Sequence, residues 1–358
     1  MKLNVGSMRS ALLTPILALA ASLVIGAIVM LVSGVNPVAA YDSLVRGAFG
    51  SPDAVGRTLS NATPLILTGV AVAFSFRGGL FNIGADGQFT AGAVTAAWLG
   101  VALPLPPVIG PIIILLAAAL AGGLVGALAG FLKARFRAHE VVTTIMLNFI
   151  VTNLSLWLLL NPLSGHTQVP GSARVNANNV LAPLAFGLPG VHLGLLVAIL
   201  SAIGATLFLW RTSAGLEMRV FGISQKAAKY SGVSATVAAV TALGGGAAFA
   251  GLAGAGEVLG TYGSMTAPFV ANLGFLGIGV ALLGRNHPLG CIMGGVILGA
   301  LSAGGQQMQF DLGVSFHLTE ILVAVVLLFI TMQLIRSRRR NSKEIPQLEK
   351  IIEAPHAL

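Results

Sequence analysis

VALPLPPVIGPIIILLAAALAGGLVGALAGFL, residues 101–132, carries no charged side chain. A helix needs about 20 mostly apolar residues to cross the hydrocarbon core of a bilayer, and this run exceeds that length. Inside hydrocarbon every backbone N–H and C=O must find a partner within the protein, and a single apolar segment meets that demand as a helix. The composition extends the reading to the rest of the 358-residue chain. It is 56% hydrophobic and 9% charged, against roughly 25% charged in a soluble domain, and its mean hydropathy is +0.91. So few charges cannot cover a surface that faces water on all sides. The composition predicts an all-α, polytopic membrane protein whose constant partner is the lipid bilayer.

Ten stretches outward from this run meet the length and apolarity requirement: 11–32, 58–76, 80–102, 108–132, 141–160, 191–210, 235–256, 270–284, 289–304 and 318–335. The eighth and ninth are short and rich in glycine. The first begins with Lys2 and Arg9, but its apolar run is longer than a signal-peptide core and reads as an uncleaved helix. Lys and Arg concentrate on the cytoplasmic side of membrane proteins. Ten spans with both termini cytoplasmic put 17 of the 20 Lys and Arg residues inside, leaving Arg46, Arg57 and Arg174 outside. Removing one span would place the later bases on the wrong side. The transmembrane body is expected to fill residues 1–335, and a solvated basic tail residues 336–358. The net charge of +9 forms no basic stripe interleaved with aromatics, which argues against nucleic acid as a partner.

Three connections are long enough to hold structure. Residues 33–57 and 161–190 fall outside, the second suiting a capping loop or an interfacial segment. Residues 211–234 fall inside and mix Arg219, Lys226 and Lys229 with Met218, Val220, Phe221 and Tyr230. That pattern fits a short amphipathic helix at the cytoplasmic face, or a basic loop touching anionic lipid.

No motif for catalysis is present. Glycines 244–246 lead on to Gly251, Gly254 and Gly256 without the lysine of a phosphate loop. No His/Glu pair has metalloprotease spacing, and the single cysteine, Cys291, makes neither an intramolecular disulfide nor a multi-cysteine metal site. No metal, cofactor or catalytic residue is expected in this chain. Glycines 122, 126 and 130, 290 with 294, and 295 with 299 have the spacing that lets helices approach closely.

Polar groups amid the apolar runs mark the candidate site. Residues 76–89, FRGGLFNIGADGQF, place Phe81, Asn82, Asp86 and Gln88 among glycines. Unpaired polar groups cannot face lipid, so the segment is either a broken helix lining a polar pathway or a tight cytoplasmic turn. An intramembrane carboxylate is a functional candidate by its cost, which singles out Asp86, either in the pathway or paired structurally with Arg77. Residues 275–299 echo the break around Arg285, Asn286 and His287, at the same side, as a five-plus-five internal repeat would. Glu140, Thr144 and Asn148 fall near one helical face, lining a path or bonding neighbouring helices. Glu257, Asp311 and Glu320, at span ends, are expected to be solvated; His166, His192 and His317 are expected near the outer surface.

Residues 67–89, LTGVAVAFSFRGGLFNIGADGQF, and 139–150, HEVVTTIMLNFI, resemble the permease subunits of bacterial ATP-binding-cassette importers for nucleosides and simple sugars, within the larger branched-chain amino acid and ribose permease group. FGISQKAAKYSGV, residues 221–233, resembles that group's cytoplasmic loop. The family more often has Glu at position 86 and Asn at position 139. The resemblance implies a multi-pass inner-membrane protein that works by alternating access with a second homologous permease, a separate ATPase and a substrate-binding lipoprotein or periplasmic protein. It implies that residues 211–234 couple to the ATPase through Arg219, Gly222, Ala227, Ala228, Tyr230 and Gly232. The rival reading is an ion-coupled secondary transporter with Asp86 and Glu140 as coupling carboxylates.

Overall fold

A computed structural model describes residues 23–166, 168–184, 187–267, 269 and 272–315, with single positions 317, 320, 321, 324, 325 and 328. The described residues form helices and three isolated β-bridges. Two compact units divide the chain: residues 43–307, and residues up to Asp42 together with those from Met308 onward. In the second of these, helix α1 (Leu23–Val32) receives a 2.6 Å hydrogen bond at its Leu23 carbonyl from the Tyr41 hydroxyl. Helix α2 (Pro37–Phe49) begins there and was not expected as a helix, because its polar and apolar residues are too mixed to read as a span.

The larger unit holds α3 (Pro52–Arg77), α4 (Ala85–Ala102), α5 (Ile109–Phe136), α6 (Glu140–Leu160), α7 (Gly194–Arg211), α8 (Ser213–Ile223), α9 (Gln225–Tyr230), α10 (Ala235–Gly256), α11 (Leu273–Leu283) and most of α12 (Pro288–Leu312). Among the described residues, six helices are long and apolar enough to cross a membrane: α3, α5, α6, α7, α10 with its extension to Tyr262, and α12; the bent pair α1 and α2 would make a seventh if it is one span. Helix α4 carries Asp86, Gln88, Thr90 and Thr95 and falls outside that set. Helix α11, 11 residues long, is about 16 Å at 1.5 Å per residue and cannot span alone. The expected first and last spans lie largely outside the described residues, as does the tail.

Helix α3 is central. Every residue from Ala62 to Ser75 is buried, and 78% of its apolar window is enclosed, against 22% for α6. Small residues let the helices of this unit pack closely. On α5, a Cβ at Gly122 would stand 2.8 Å from the Ala247 carbonyl oxygen, and one at Gly130 would stand 2.6 Å from that of Ala239. The i, i+4 glycine stripe thus brings the α5 and α10 backbones together, as its spacing predicts. Gly277 of α11 meets Thr68, and Gly295 and Gly299 of α12 meet Ile66 and Ala62. Apolar side chains on α5, α6 and α7 such as Leu120, Phe149 and Leu200 remain exposed, where lipid solvates them.

Residues 161–193 cap one end of this unit. Asn179 donates from Nδ2 to the carbonyls of Gly100 (2.9 Å) and Leu103 (2.8 Å), satisfying the last turn of α4. Ser172, Val175 and Leu181 donate backbone N–H groups to Met265, Gly263 and Leu259. The connection is therefore a capping loop.

Candidate functional site

Helix α3 ends where Gly78 caps it and Gly79 takes a left-handed φ of 69°. Of the two sequence readings, the structure shows a compact turn, residues 78–84, between α3 and α4. Its polar side chains are spent on the turn itself. Asn82 and Gln88, 0% and 1% exposed, exchange two amide bonds of 2.9 and 3.0 Å. Asn82 Oδ1 also accepts from Gly84 N at 3.0 Å. From α6, Asn148 accepts from Gly87 N at 2.8 Å and donates to the Ile83 carbonyl at 2.9 Å. Thr144, fully buried, returns its hydroxyl proton to the Glu140 carbonyl. Buried groups that bond this completely are stable in place.

Asp86 is half-buried. Its Oδ1 accepts from Gly274 N at 3.2 Å, a position in the first turn of α11, where a carboxylate is favoured by the unpaired N–H groups. Arg77, the structural partner considered for it, instead donates from Nε to the Asn286 carbonyl at 2.6 Å. Glu140 forms a 2.7 Å ion pair with Lys133 across the α5–α6 turn. Phe81 remains 56% exposed, its ring 4.9 Å from that of Phe76.

Helices α8 and α9 replace the expected short amphipathic helix. Each is N-capped, α8 by Thr212 and α9 by Ser224, as Ser234 caps α10. Met218, Phe221 and Ala228 are buried toward the bundle. Gly222 packs so tightly on the 77–79 backbone that a Cβ would lie 2.6 Å from the Arg77 carbonyl oxygen. Of the residues expected to couple to an ATPase, Gly222 and Ala228 therefore face inward, Arg219 lies beside Trp210, and Ala227, Tyr230 and Gly232 face out. Tyr230 is 93% exposed and the neighbouring Ile223 87%.

One constellation was not foreseen. Glu257 was expected to be solvated, yet it is 5% exposed. The reason is backbone geometry: α10 continues as a π-helical turn, Glu257–Tyr262, and so keeps the carboxylate inside the bundle. The Thr261 hydroxyl donates to Glu257 Oε1 at 3.3 Å and lies 3.3 Å from His192 Nε2. His192 is likewise buried. The π turn has no sequence signal, and hydropathy ends this span at Gly256.

A bundle of long apolar helices around a buried polar turn, with a capped helical segment seated beneath it, defines a multi-pass membrane permease. The comparisons give the family. Residues 54–331 match the signature described as branched-chain amino acid transport system / permease component, and the chain belongs to that family. It is 39% identical to the guanosine ABC transporter permease protein NupP of Bacillus subtilis, over 90% of this chain and 93% of that protein. It is 34% identical to the glucose ABC transporter permease protein TsgB13 of Haloferax volcanii, over 88% and 86%. It is 29% identical to the nucleoside ABC transporter permease protein NupB of Lactococcus lactis, over 90% and 91%. The chain is thus a multi-pass inner-membrane component of a transport system, not an enzyme.

Proposed function

We propose that this permease carries nucleosides as a subunit of an ATP-binding-cassette importer, crossing the bilayer ten times with both termini in the cytoplasm. The guanosine and nucleoside permeases that it resembles end to end support the solute class; the glucose permease makes simple sugars the second class to test. The observation that carries the importer reading is the α8–α9 segment, held on the 77–79 turn by Gly222 while Ile223 and Tyr230 point outward. The 17-to-3 distribution of Lys and Arg supports a cytoplasmic place for it, where a separate ATPase would dock. ATP binds the closed ATPase pair more tightly than the open one, and that difference in affinity shifts the permease from one open side to the other. A second homologous permease would complete the pathway, and a binding lipoprotein or periplasmic protein would deliver the solute. Phe81 and Asp86, with surface left to offer, are the solute-facing residues in this reading; Asn82, Gln88 and Asn148 hold the turn, and Thr144 bonds back onto its own helix.

The ion-coupled alternative is not favoured, since Asp86 and Glu140 both have structural partners and the relatives are named as ABC permeases. Proteoliposomes containing the full complex and ATP at the nucleotide-binding side test the proposal with radiolabelled guanosine. Uptake should require ATP, survive a protonophore, and be competed by other nucleosides but not by glucose. Uptake that persists without the ATPase and collapses with the protonophore would sink it.

A further inference from the structure

Trp210, at the end of α7, gathers residues from three separate connections. The Arg77 guanidinium lies 5.3 Å from its ring centroid and that of Arg219 lies 5.7 Å away. The His287 ring stacks on it at 4.6 Å and 30°. Arg77 ends α3 beside the α3–α4 turn, Arg219 belongs to α8, and His287 to the α11–α12 turn. Arg77 also ties the two turns to each other through the Asn286 carbonyl at 2.6 Å. A cation over an indole face is held by the ring quadrupole, so one side chain couples α8 to both glycine-rich turns.

Two further features make this contact costly to hold. Arg219 Nε and Asn286 Oδ1 are buried without a hydrogen-bond partner, which costs free energy that another geometry can recover. Arg285 and Asn286 are consecutive non-glycine residues at positive φ, 53° and 54°, a backbone state that persists only where surroundings enforce it. Packed elements with a strained, incompletely bonded contact switch between discrete states rather than deforming smoothly.

We infer that Trp210 is a positioning residue that relays movement of α8 to the 78–84 and 284–287 turns together, making ATPase action and opening of the pathway one event. This rests on the reading that α8 and α9 receive an ATPase. The test uses the complete complex in proteoliposomes and compares wild type with Trp210→Leu and Trp210→Phe. For Trp210→Leu, ATPase co-purification and ATP hydrolysis should stay within about twofold of wild type, while solute carried per ATP falls about tenfold. Trp210→Phe, which keeps a ring face, should recover at least half of that loss. Wild-type stoichiometry in Trp210→Leu overturns the relay. So does a parallel loss of hydrolysis, uptake and co-purification in a variant of unchanged melting temperature, which assigns Trp210 to docking alone. Failure of the wild-type permease to capture any ATPase refutes the underlying reading instead.

A second measurement covers a Trp210→Leu variant that does not fold. The chain has three tryptophans; Trp98 and Trp157 are exposed on α4 and α6. With both replaced by Phe, the emission of Trp210, obtained by subtracting the matched Trp210→Phe complex, should shift when vanadate traps the ATPase. An unchanged spectrum on trapping overturns the relay.

Discussion

The Asp86 carboxylate of α4 accepts a 3.2 Å hydrogen bond from the backbone N–H of Gly274, in the first turn of α11. One acidic side chain thus fastens a helix from the first half of the chain to one from the second. Its role there is that of an N-cap supplied in trans, and a cap needs an acceptor more than it needs a charge. Asp86→Asn, which keeps an acceptor for Gly274 N and a polar group toward the solute, should therefore fold and transport within about twofold of wild type, whereas Asp86→Ala should lose about 1 kcal/mol, with melting in detergent as the readout. An ion-coupling carboxylate would behave oppositely, since Asp86→Asn would abolish uptake while leaving the melting temperature unchanged.

Asn148 bonds the backbone of the α3–α4 turn on both sides, at Gly87 N and Ile83 O. Replacing it with Leu leaves both groups buried and unpaired, at about 1–3 kcal/mol each. Asn148→Leu should melt well below wild type and lose uptake. Asn148→Asp, which keeps the acceptor and loses the donor, should fall between the two.

The glycines of the bundle divide into those in contact with backbone and those in open space. Gly130→Ala would put a methyl group 2.6 Å from the Ala239 carbonyl oxygen and should cost about 1–3 kcal/mol by overpacking. Gly204→Ala meets nothing within 4 Å and should stabilise α7 by about 0.5–1 kcal/mol. Equal effects of the two substitutions on the denaturation midpoint would contradict the close α5–α10 contact.

Two imidazoles outside the spans make stability depend on pH. Burial, and after it the charge of Arg77, holds His287 below its ordinary 6.5; burial does the same to His192. Above pH 6.5 both rings are neutral in folded and unfolded chains and contribute no pH dependence. As pH falls through 6.5 the unfolded chain takes up protons first, so stability declines. The melting temperature should drop between pH 7.5 and 5.5, and drop less in His287→Gln.

Much of this was legible because hydropathy and glycine spacing are local properties. Within the charge-free run, 108–132 reads as a spanning helix, and α5 covers nearly all of it. Gly122, Gly126 and Gly130 read as a packing face and meet α10. Residues 211–234 read as a short amphipathic helix or a basic loop, and two helices, α8 and α9, lie there. The roles of individual polar residues were less legible. Asn82, Gln88 and Asn148 carry the same signal whether they line a path or bond one another. Gly222 and Ala228 stand out in the motif whichever way they face.

The sequence by itself determined the solvent of this protein and its helical class, because both follow from how often and how regularly residue types recur along the chain; its permease family was legible only through the motifs at 67–89, 139–150 and 221–233. Tertiary structure alone decided that Asp86 caps α11, that Glu257 turns inward on a π-helical turn toward Thr261 and His192, and that Arg77, Arg219 and His287 meet on Trp210. Those relationships join residues far apart in sequence. Each exists only where packed backbones bring a donor within reach of an acceptor, or a cation within reach of a ring.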